Sequence, residues 1–118
     1  MDARLNYFTL TDRIADVSTA GQVYTVCPVK AKIVAVYTAL NGTIATADDT
    51  LTIKTADGTV GTITVAFSGS AAGDVDSLTS GLANTSVAAG ATIELETSGA
   101  STNTISAGIT YYMVHDDV

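Results

Sequence analysis

An all-β fold, a single-domain antiparallel β-sandwich wound as a jelly roll, is predicted by three features of the sequence. Apolar and polar residues alternate with a period of two through several short runs. Gly, Asn and Asp stand at the corners between runs that recur about every 10 residues. Stripes with the 3.6-residue helical period are almost absent. An immunoglobulin-like sandwich is the second choice, since the Cys…Trp…Cys hallmark of that fold is missing. The 118 residues suffice for one core, which makes 1–118 a single domain with 1–12 as an N-terminal arm or edge strand.

The elements follow in chain order. Residues 6–12 and 22–26 read as strands. Residues 31–40 are β-branched and apolar in both phases, Ile33, Ala35 and Tyr37 against Val34, Val36 and Leu40, as in a central strand covered on both faces. Asn41-Gly42 then signals a turn, because both residues accept positive φ. Residues 50–55 turn Leu51 and Ile53 inward, and Ala56-Asp57-Gly58 closes a hairpin to 60–67, where Ile63, Val65 and Phe67 share a phase. The Ser-, Gly-, Ala- and Asp-rich stretch 68–90 is expected to hold a short helix or turn over the sheet, capped by Asp74 or Asp76. In 91–97 Ile93 and Leu95 point in and Glu94 and Glu96 into water. The last strand, 103–114, places Ile105, Ala107, Ile109, Tyr111 and Met113 on one face.

Charge divides the chain. Five cations and five acids balance up to Lys54, and beyond it only acids occur, so the net charge of −7 falls in the second half. Nucleic-acid binding needs a basic stripe to release counterions, and this distribution excludes it. The N-terminus carries no basic stretch followed by an apolar one, and no window approaches the ~20 apolar residues of a membrane-spanning helix. Synthesis in a cytoplasm is the expectation, with no membrane partner.

Chemistry-bearing residues are sparse. His115, beside Asp116, lacks a rigidly held nucleophile or orienting partner. Asp48-Asp49 and Asp74-Val75-Asp76 lack the calcium-loop pattern and read as turn caps. Glu94 and Glu96 share a strand face about 7 Å apart, a spacing that suggests glycosidase acids, but no aromatic platform for a sugar lies beside them and the pair reads as a solvated strand face. Stretch 68–73 is Gly-rich without the Lys of a phosphate loop. Cys27 sits in an apolar run and reads as core. The residues therefore assign no enzyme activity, and no catalytic, cofactor or metal site.

The runs KIVAVY at 32–37, TADDTLTI at 46–53, GTITV at 61–65, SAAGDVD at 70–76 and NTSVAAGA at 84–91 carry a resemblance. In strand and turn texture, residues 30–114 resemble the capsid decoration, or head-stabilising, proteins of tailed bacteriophages. What the resemblance implies is a jelly-roll-like homotrimer on the outer surface of the virion head. There it would bind the major capsid protein and reinforce the lattice. Charge asymmetry and the apolar N-terminal stretch make Arg4, Tyr7, Phe8 and Leu10 the candidate capsid contacts. Tyr111, Tyr112 and Met113 on the aromatic last strand are the candidate oligomer contacts. The alternative is a carbohydrate-binding adhesin module of a phage tail or cell surface, against which the lack of Trp and the scatter of Tyr count.

Overall fold

The computed structural model describes residues 6–116. Nine strands run β1 (Tyr7–Ile14), β2 (Gly21–Val26), β3 (Ala31–Leu40), β4 (Asp49–Thr55), β5 (Gly58–Val65), β6 (Val75–Leu78), β7 (Ser86–Val87), β8 (Thr92–Thr97) and β9 (Ala107–His115), with no helix among the described residues. A front sheet has the order β1-β9-β3-β6, with the short β7 also on β3, and a back sheet the order β2-β8-β4-β5. All pairings are antiparallel, and four of them nest: β1 with β9, β2 with β8, β3 with β6 and β4 with β5. The chain is thus one long two-stranded ribbon whose tip is the 56–57 loop. Rolling it up brings β3 against β9 and β4 against β8, which is the jelly-roll winding.

Alternation in each strand decides what the rolling buries. Ile33, Val36, Leu40, Ile109, Tyr111 and Met113 point inward from the front sheet, and Leu51, Ile53, Ile63, Ile93 and Leu95 from the back, all at 4% exposure or less. Each contributes roughly 1.5–3 kcal/mol of transfer free energy. Val17, Cys27, Ile44 and Val87, from loops and the short strand, close the ends of this core. The β4–β5 hairpin forms at the expected place, with Thr55 paired to Gly58 and φ of +133° at Gly58.

Three expectations are corrected. β3 lies inside its sheet, but it is not covered on both faces: Lys32, Val34, Tyr37 and Ala39 are exposed. Apolar residues occupy both phases because the register shifts between Ile33 and Ala35, and this bulge moves the inward phase from Ile33 to Val36. The Asn41-Gly42 step does not take positive φ; in that connection Thr46 does, at +79°. A Cβ at Gly42 would lie 2.6 Å from Ile105 Cδ1, the far end of a side chain that can turn aside. Stretch 68–90 holds β6 and β7, two strands on the front sheet, where a helix or turn is expected. Asp74 Oδ2 still caps a turn there, accepting the Ala71 N–H at 2.9 Å.

Candidate functional site

The two outer faces differ in chemistry. On the front sheet, register and alternation bring together Tyr7, Thr9, Thr11 and Arg13 of β1, Gly108, Thr110, Tyr112 and Val114 of β9, Lys32, Val34, Tyr37 and Ala39 of β3, and Val75 and Ser77 of β6. None of these is a carboxylate, in a chain of net charge −7. Asp12 and Asp76 lie in the inward phase of their strands, and Asp12 Oδ2 accepts the Thr25 hydroxyl at 2.7 Å. Tyr7 and Tyr112 stack at 5.3 Å between centroids with 18° between planes, and Tyr7, Val34, Tyr37 and Val75 remain 49, 36, 39 and 65% exposed. Beside them Gly108 has no side chain and open space above it, leaving a trough of about 350 Å³ bordered by Thr11, Asp12, Thr110, Tyr37, Ala39 and Val75.

The back sheet presents Gln22, Tyr24 and Val26 of β2, Thr92, Glu94 and Glu96 of β8, Thr50, Thr52 and Lys54 of β4, and Thr62 and Thr64 of β5. It is a hydroxyl-rich, charged surface. Lys54 Nζ holds Glu96 Oε1 at 2.9 Å, and that contact, reinforced by the charges of Glu96 and Glu94, keeps the ammonium pKa above its ordinary value. Tyr24, 56% exposed, stands directly opposite Glu94. An aromatic ring does lie beside the glutamates, contrary to the sequence reading, supplied by a strand 70 residues away in the chain.

The expected interface residues are only partly brought to a surface. Arg4 lies outside the described residues. Tyr7 is on the front face, but Phe8 and Leu10 point inward and pack, half-buried, against the core, so they offer little to a capsid. Tyr111 and Met113 are fully buried within one chain, which corrects their expected role as oligomer contacts; Tyr112 alone of the three faces out. Their alternation with Ile109 on β9 already held the signal that this phase is core. The two expected contact sets therefore converge on one Tyr7–Tyr112 patch.

The remaining polar candidates have structural partners. Asp49, fully buried, accepts the Ser101 N–H at 2.9 Å and the Ser101 hydroxyl, and Asp48 Oδ1 accepts the Phe67 N–H at 3.0 Å. His115 is half-buried at the end of β9, its backbone N–H donating to Asn6 O at 2.8 Å. Cys27 is buried, donates to Val29 O at 3.1 Å, and has its thiol pKa raised by burial. No group of three or more His, Cys, Asp or Glu among the described residues is placed to hold a metal ion. Comparison with protein-family models and with curated proteins yields no match.

Proposed function

We propose that the protein is a virion structural protein that binds the outside of a phage head through its front sheet and stabilises the capsid lattice. The observation that carries this reading is the carboxylate-free, tyrosine-bearing front face of an acidic domain. Apart from Asp12 at the trough, burying it against a partner desolvates no carboxylate, and its exposed Tyr and Val residues supply apolar area with hydroxyls at the rim. The Gly108 trough would take a side chain from the partner. The acidic back sheet and loops stay in water and keep neighbouring copies from adhering at random.

The resemblance to decoration proteins supplies the partner, the major capsid protein, and assembly as a homotrimer. Three modest contacts held in one particle gain avidity of roughly 10² to 10⁴ over a single contact. In this reading the chain is made in the bacterial cytoplasm and carried on the outer surface of the head.

Electron microscopy of particles labelled with gold-tagged antibody against the chain tests the proposal. Label over the heads, lost when Tyr112→Asp puts a charge at the centre of the front face, supports it. Label confined to tail tips, or head label indifferent to Tyr112→Asp and Tyr37→Asp, defeats it. Sedimentation of the purified chain tests the trimer separately.

A further inference from the structure

The back sheet carries a second surface that the head-binding reading leaves unused. Tyr24, Glu94 and Lys54 form one row across β2, β8 and β4, the side chains standing on successive strands about 5 Å apart. Thr92, one step along β8, and the Gly90-Ala91 segment close one end. The row and this end line a cleft of about 380 Å³, within the range of small-ligand sites.

We infer that this cleft binds a neutral sugar ring, with Tyr24 as its stacking platform. The chemistry of the walls narrows the class of ligand. Lys54 is taken up by Glu96, so the carboxylate of Glu94 dominates the remaining charge and disfavours an anion. The lining is mixed, with the Tyr24 ring, Ala56 and Ala91 set among Thr55, Thr92 and the charged groups, which suits a ligand that is apolar on one side and polar at its edge. What fits is a polyhydroxylated ring with an apolar face. Its C–H face lies on Tyr24, which is more than half exposed, and two adjacent hydroxyls donate to the Glu94 carboxylate, which makes no side-chain hydrogen bond among the described residues. A third hydroxyl accepts from Lys54 or Thr92. The front face is not involved, so a particle could hold the head with one sheet and present the other to surface glycans.

The test is an amide-resolved NMR titration of the full chain with the methyl glycosides of glucose, galactose, mannose and N-acetylglucosamine, and with tetramethylammonium as a cation control. At least one glycoside is expected to shift the amides of Tyr24, Glu94, Lys54 and Thr92 saturably, with Kd on the order of 1 mM. Tyr24→Ala and Glu94→Ala should each weaken it about tenfold or more, with Tyr24→Phe and Tyr112→Ala binding as the unsubstituted chain does. The inference is overturned if none of the four sugars gives a saturable shift. It is equally overturned if both alanine variants, folded by their spectra, bind normally, or if only tetramethylammonium moves Tyr24.

Discussion

Asp49 grips Ser101 twice, one carboxylate oxygen on the backbone N–H at 2.9 Å and the other on the hydroxyl, and both residues are almost wholly buried. Ser101 Oγ continues to Ser18 Oγ at 2.6 Å, so one carboxylate ties the loop before β9 to β4 and to the loop after β1. Asp49→Ala leaves a buried N–H without a partner and should cost about 3 kcal/mol. Urea unfolding would read this as a lower midpoint at unchanged slope. An unchanged midpoint would mean that the network holds nothing.

Tyr111 fills the core, but its buried hydroxyl has no hydrogen-bond partner, although Thr25 and Asp12 lie close by. Tyr111→Phe should therefore be neutral or stabilising by up to about 1 kcal/mol, and Tyr111→Ala should cost about 3–5 kcal/mol through the cavity it leaves. Burial first, then the Asp12 charge, pushes the phenol pKa well above its ordinary 10.0. A raised folded pKa means stability that is complete below the ordinary value and lost as pH climbs past it. Chemical denaturation from pH 8 to 11 should accordingly show a shallower alkaline loss in Tyr111→Phe than in the unsubstituted chain.

Asp76 has a raised carboxyl pKa, caused chiefly by burial and next by the charge of Asp74. Its protonated form is the better accommodated one, so its contribution is full below the ordinary carboxylate value and falls as pH rises. Asp76→Asn should raise the unfolding midpoint at neutral pH, with the gain fading below about pH 4. Midpoints across that range decide it; a gain that persists in acid would contradict the electrostatic account.

Gly99 and Gly81 share nearly the same backbone, φ of +68° and +69°, but not the same surroundings. A Cβ on Gly99 would strike the backbone of Thr19 and Ala20, while at Gly81 it would meet nothing. Gly81→Ala should cost about 1 kcal/mol of conformational strain, and Gly99→Ala about 3 kcal/mol or more, because backbone cannot move aside. Thermal melts of the two variants compare them directly; equal losses would place the cost in φ alone.

Legibility differed between elements for identifiable reasons. β9 was readable because Ile109, Tyr111 and Met113 alternate with Gly108, Thr110 and Tyr112, and alternation is local. β6 was not: Val75-Asp76-Ser77-Leu78 is an edge strand with only one neighbour to satisfy, and it needs little β-propensity of its own. β3 misled because a bulge is invisible to a two-residue period, so a shifted phase looks like two covered faces. At the front face, Tyr7 and Tyr112 were singled out separately, but their stacking depends on Thr9 meeting Tyr112 in register.

The sequence by itself determined the class of fold, the β4–β5 hairpin, most strand positions and most of the core phase, because backbone alternation and turn chemistry act over a few residues. Only the tertiary structure decided the strand order, the acid-free front face and the Tyr24–Glu94–Lys54 row. These follow from registers between segments more than 100 residues apart in the chain, such as Tyr7 with Val114. Such registers are set by the collective filling of one core, which no local pattern encodes.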